Sequence, residues 1–198
     1  MGSSADVARL SDALERRGLL LLQDPVFPSA AAIVAGERIR GSWWGHPAGH
    51  RIFAAVSELD DHPDVATAKL VSGKVTFVHR TLWPALIAVG RARDAWQLRG
   101  LNAAARGLLA RVDAETTVRA SGKAAAALER ALLVASRQVH TDSGKHALAL
   151  STWTAFAKHR GVALRRRAPA RARAALEAIV DGINGETGAR GTLPWSSG

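Results

Sequence analysis

Residues 65–79 constrain the fold more than any other stretch of this chain. Val65 to Val71 and Lys74 to His79 form two short runs of β-branched and apolar residues, and they flank Ser72-Gly73. A two-residue Ser-Gly connection between such runs predicts a β-hairpin, because its turn positions favour residues that tolerate a left-handed backbone. On the second arm Val75, Phe77 and His79 share one face.

Helical spacing surrounds this hairpin. Val7, Leu10 and Leu14 lie on one stripe of a helix over Ala5 to Gly18, with Gly18 as its stop. Leu19 to Leu22 reads as a short strand, closed by Asp24-Pro25 and Pro28. Ser29 is a candidate N-cap for a second helix through Ile33 and Val34, and a third covers His50 to Leu59. Helices followed by a hairpin give the order of a winged-helix part, with Lys69 to Arg80 as the wing. Beyond Leu82 the spacing is helical almost throughout. Leu101, Ala105, Leu108, Leu109 and Val112 make one stripe, and Leu128, Ala131, Leu132, Ala135 and Val139 make another. Helices are also expected over Lys145 to His159 and Arg165 to Ile183. The expected fold is mostly α, a helical protein with one β-hairpin wing packed on a C-terminal helical bundle. Residues 1–98 form the winged-helix-like part, 99–184 a basic helical part, and 185–198, rich in Gly, Ser and Thr, a flexible tail.

Charge narrows the function. The formal net charge is +10, from 27 Lys and Arg against 17 Asp and Glu. Residues 1–60 hold six basic and seven acidic residues, so the remainder holds 21 basic and ten acidic. A localised excess of this kind attracts phosphate backbones. The chain has no cysteine, which excludes disulfides, iron–sulfur clusters and cysteine nucleophiles. No apolar run is long enough to span a bilayer, and no secretory leader pattern opens the sequence. A cytoplasmic, nucleoid-associated protein without membrane or disulfide partners is the expectation.

Ser-Gly-Lys occurs at Ser72, Ser121 and Ser143, and takes in Lys74, Lys123 and Lys145. At Ser121 and Ser143 it is expected to open helices, where free backbone N–H groups and an ammonium could converge on a phosphate. None of the three is a P-loop, since Ala68, Thr117 and Val139 replace the required glycine. Trp43 and Trp44 stand between Gly41-Ser42 and Gly45, placed to stack on an unpaired or flipped base, or else to pack in the core. His46 and His50 have the i, i+4 spacing of a metal pair, but Pro47 and Gly49 interrupt it and the zincin glutamate is absent. No metal or cofactor is expected. His140, Asp142 and His146 likewise lack a ligand spacing. Asp60, Asp61 and Asp64 form an acidic knot beside the basic region, best read as a helix end and turn, with a catalytic carboxylate as the sharper reading. Setting Gly36 at the turn of a helix-turn-helix leaves Ser42 where a buried Val or Ile is needed, so no standard recognition helix is assigned.

The leading expectation is a double-stranded DNA-binding protein of the maintenance and repair class. Lys69, Lys74, His79 and Arg80 of the wing, with Arg99, Arg106, Lys123, Lys145, Arg165, Arg166 and Arg167, supply phosphate contacts, while Trp43 and Trp44 probe bases. A DNA glycosylase-type base-excision enzyme is the first alternative, drawing on Asp60, Asp61, Asp64, His46 and His50. A transcriptional regulator or ribosomal-RNA binder is the second.

Overall fold

A computed structural model describes residues 2–140, 146–164 and 167–196. The first eighty build the winged-helix order, on the apolar spacing that predicts it. Helix α1 (Gly2–Arg17) buries Val7, Leu10 and Leu14 and ends on Gly18, whose φ of +76° turns the chain directly into strand β1 (Leu19–Leu21). Ser29, in the extended N-cap conformation, opens α2 (Ala30–Ala35), and left-handed Gly36 closes it. A 3-10 turn (Trp43–Gly45) precedes α3 (Gly49–Asp60), so residues 36–48 separate the two helices. That long connection is why the compact helix-turn-helix spacing fails at Ser42. Strands β2 (Val65–Ala68) and β3 (Thr76–His79) form the hairpin, and β1 joins it in an antiparallel sheet of order β1-β3-β2. At the hairpin tip Ser72 (φ +53°) and Gly73 (φ +66°) are both left-handed, and Lys74 N–H donates to Val71 O at 3.0 Å. This is the predicted two-residue turn.

The second half corrects the all-helical reading. It contains α4 (Trp83–Ala92), α5 (Ala95–Arg99), α6 (Ala103–Glu115), β4 (Thr117–Ala120), α7 (Gly122–Arg130), β5 (Ala135–His140), β6 (His146–Ser151), α8 (Trp153–His159) and α9 (Pro169–Thr187). The later part of the Leu128–Val139 stripe and the first part of the helix expected to end at His159 are strands of a second antiparallel sheet, of order β4-β6-β5, while Leu128 lies in α7 and Trp153–His159 is helical as expected. Helix α7 stops at Arg130, and Leu132 takes a φ of +52°. From there the alternation of period 2 governs. Val118 and Leu150 face inward onto Leu109, Val112 and Leu128. The two sheets share one topology, and each is entered from a helix through a single residue of positive φ, Gly18 or Thr116. No sequence repeat announces this recurrence.

The halves are packed together. Helix α9 lies on α4, and the Trp153 ring sits so close over Gly90 that a Cβ there would meet it at 2.2 Å. Trp153 Nε1 donates to Leu132 O at 2.7 Å, and Trp83 Nε1 to Val78 O at 3.1 Å. Glu129, buried on α7, accepts from Ser136 Oγ at 2.7 Å and from Lys69 Nζ at 3.2 Å, tying the wing to the second sheet. The expected flexible tail is corrected for residues 185–196. Helix α9 runs to Thr187, and Asn184 then brackets Gly191 through both its side-chain atoms. Ser72 N–H donates to Thr192 O at 2.7 Å, Leu193 is buried, and Trp195 packs on Trp96. Gly191 permits this path, since a Cβ would lie 2.9 Å from Phe27 and Val71. The strap is therefore tied to the wing at Ser72, while Ser72, Gly73 and Lys74 stay exposed at the tip.

Candidate nucleic-acid interface

The wing does not present free cations. Lys69 is bound to Glu129, Lys74 to Asp24 at 2.7 Å, and Arg80 to Asp64 at 3.0 Å. His79 Nδ1 lies 3.1 Å from Thr81 Oγ1. Asp24 also accepts from Val26 and Phe27 N–H. Burial alone would raise its pKa, but Lys74 and these two amides outweigh it and hold the carboxyl below its usual range. Lys69, Lys74 and Arg80 are thus each paired with a carboxylate, although the tip itself is exposed.

Of the other expected contacts, Arg106 is committed to the backbone. Its guanidinium donates to Leu101 O at 3.0 Å and Leu98 O at 3.1 Å, closing the end of α5. Arg99, Lys123 and Arg167 are exposed, on α5, on α7 and just before α9. Lys145, Arg165 and Arg166 lie outside the described residues, as does the third Ser-Gly-Lys. Ser121 is the N-cap of α7, with no hydrogen bond from its side chain to the helix.

Trp43 and Trp44 divide their roles. Trp43 is buried in the first core, while Trp44 stacks on it at 4.1 Å and is 65% exposed. Exposed Phe53 of α3 stands 5.5 Å from Trp44, extending the aromatic surface. His46 is held by Glu37 at 3.1 Å and accepts from Ala48 N–H, whereas His50 is exposed at the start of α3. Among the described residues no group of three or more His, Asp or Glu could hold a metal. Asp61 ends α3, Asp64 is occupied by Arg80, and Asp60 accepts a hydrogen bond from Thr67 Oγ1. The fold therefore does not gather the expected base-excision residues at one place.

What it gathers instead is a set of side chains that the helical reading concealed. Arg119 of β4 and Arg137 of β5 are both in register with Ala149 of β6, and both are exposed. They flank one small residue on the outer face of the second sheet, roughly 10 Å apart at two strand spacings. Neither has a carboxylate partner among the described residues. Below this row Thr117 is in register with Ser151, and Ser151 with Ala135. There the sheet face meets β2 and α8 across a cleft of about 310 Å³, lined by Asp60, Thr67, Thr117, Arg137, Ser151 and His159 among others. Arg160 closes one end. Its guanidinium donates to the carbonyls of His62, Pro63 and Val65 and lies 5.5 Å from the Trp83 ring centroid.

The signal for Arg119 and Arg137 was in the sequence. Thr-Val-Arg-Ala and Ala-Ser-Arg-Gln each alternate around an arginine, but alanine favours helix and four-residue runs are short beside a helical stripe. His159 carried no local signal, because only the packing of α8 brings it to the cleft.

No protein-family model, curated protein or solved structure matches this chain. No helix among the described residues is long and apolar enough to cross a membrane.

Proposed function

We propose that this chain binds double-stranded DNA through the outer face of its second sheet, and not through the wing. The observation that carries the proposal is the Arg119–Ala149–Arg137 row, two exposed arginines without carboxylate partners among the described residues, where the sheet face runs out from the cleft. Their spacing of roughly 10 Å equals about three nucleotides of rise along one strand of a duplex. The winged-helix order of the first half and the net charge of +10 agree with this reading, although fold order alone does not give function. Contacts of this kind hold backbones without reading sequence. Binding is favoured over base excision because, among the described residues, Asp60 is the one carboxylate lining the cleft, and Thr67 already engages it.

The test is anisotropy of a labelled duplex over a salt series, with abasic and uracil-containing duplexes and a structured RNA alongside. Arg119→Glu with Arg137→Glu is expected to weaken duplex binding by at least ~10-fold and to reduce the salt slope by about 2. Lys74→Ala, which removes an already neutralised cation, is expected to leave affinity unchanged. Wild-type affinity in the folded double variant would sink the proposal, and tighter binding to RNA would redirect it.

A further inference from the structure

The cleft between the halves is built for something smaller than a duplex. Its volume of about 310 Å³ sits at the lower end of small-molecule sites. Its chemistry is divided. At the rim stand Arg137 and His159, both exposed and with no acid bound to either among the described residues, beside the hydroxyls of the paired Thr117 and Ser151. Deeper, Ala135 and Ala149 leave the sheet surface low, and half-buried Phe156 forms a wall. Across from them is the carboxylate of Asp60, held in place by Thr67.

We propose that this cleft binds a nucleoside monophosphate. The phosphate takes Arg137 and His159, with the two hydroxyls as further donors. The flat base lies against the alanines and Phe156. Asp60 accepts a hydrogen bond from a ribose hydroxyl or a base amino group. Each part of the ligand has a complement: charge for the phosphate, a low apolar surface for the ring, a fixed acceptor for the sugar or base. The contributing groups come from β2, the second sheet and α8, so an occupied cleft links the two halves. This site shares Arg137 with the duplex surface but does not depend on duplex binding, because Arg119 lies outside the cleft and His159 lies off the sheet.

Isothermal titration of the full chain with AMP, GMP, CMP, UMP and inorganic phosphate tests it. Saturable binding of at least one nucleotide, tighter than phosphate, is expected. Arg137→Ala and His159→Ala should each weaken it by at least ~10-fold, while Arg119→Glu should not. Both positions are on the surface, and circular dichroism of the variants confirms folding. As an independent check, Ala155→Trp fills the cleft without touching a charge and should abolish binding. No binding by any nucleotide, phosphate bound as well as the nucleotides, or binding that survives Arg137→Ala, His159→Ala or the filled cleft overturns the proposal. Loss of duplex affinity in Arg119→Glu with nucleotide binding intact keeps the two readings separable.

Discussion

Asp6 shows how much one side chain can join. It is 3% exposed on α1, yet it accepts from Arg51 of α3 at 2.9 Å and from Arg9 one turn along its own helix. Arg51 also reaches Val34 O on α2, so three helices meet at this carboxylate. Burial alone would raise the pKa of Asp6, but the hydrogen bonds from Arg9 and Arg51 outweigh it and hold it below the usual range. The contribution to stability is therefore present above the unfolded pKa, near 3.9, and is lost as pH falls through the lowered folded value. Asp24, lowered in the same way, adds to the same acid limb. Urea unfolding of Asp6→Asn at pH 7 is expected to show a loss of about 1.5–3 kcal/mol. Its stability should also fall less steeply than that of the wild type as the medium is acidified; an identical acid limb would mean that Asp6 is not ionised and paired. Gly90 makes a second prediction of this scale. With Trp153 occupying the Cβ position, Gly90→Ala must displace the indole or the helix. The expected cost is about 1–3 kcal/mol, read as a lowered melting temperature, whereas an unchanged melt would contradict the close approach. From sequence, Asp6 is an ordinary helix acid and Gly90 an unfavourable helix residue. Their reasons lie largely in residues distant in sequence, Arg51 and Trp153.

At the scale of elements, legibility followed turn chemistry. The hairpin over 65–79 was readable because Ser72-Gly73 supplies two left-handed positions between β-branched runs, and this requirement is local. The second hairpin was not. Its strands are Ala-Ser-Arg-Gln-Val-His and His-Ala-Leu-Ala-Leu-Ser, and alanine makes such runs read as helix. They are extended because β4 pairs with β6 and the inward Leu150 completes a core with Val118. Intrinsic preference yielded to tertiary pairing. The C-terminal strap misled for a related reason. Gly, Ser and Thr suggest mobility, but one buried residue, Leu193, is enough to anchor a short segment flanked by backbone hydrogen bonds to Ser72. Leu193→Ala is expected to cost about 2–4 kcal/mol in chemical denaturation. A change below ~0.5 kcal/mol, the level of an ordinary surface substitution, would show that the strap is not packed as described.

At the scale of the molecule, the charge excess and the arrangement of charge separate. The sequence determined that cations outnumber acids beyond residue 60, that no cysteine chemistry is possible, and that helices precede a hairpin. These follow from composition and from spacing within one element, which act locally. Only the tertiary structure decided which cations are spent. Lys69 and Lys74 met Glu129 and Asp24, brought from other parts of the chain, and Arg80 met Asp64 across the open end of the hairpin, while Arg119 and Arg137 were left exposed on either side of a small alanine. Interaction between exposed charges is screened beyond about 8–10 Å at physiological ionic strength, so neutralisation depends on which residues the fold brings within that distance. The Lys74–Asp24 and Arg80–Asp64 distances are set as the first half folds, and the Lys69–Glu129 distance only once the two halves have packed.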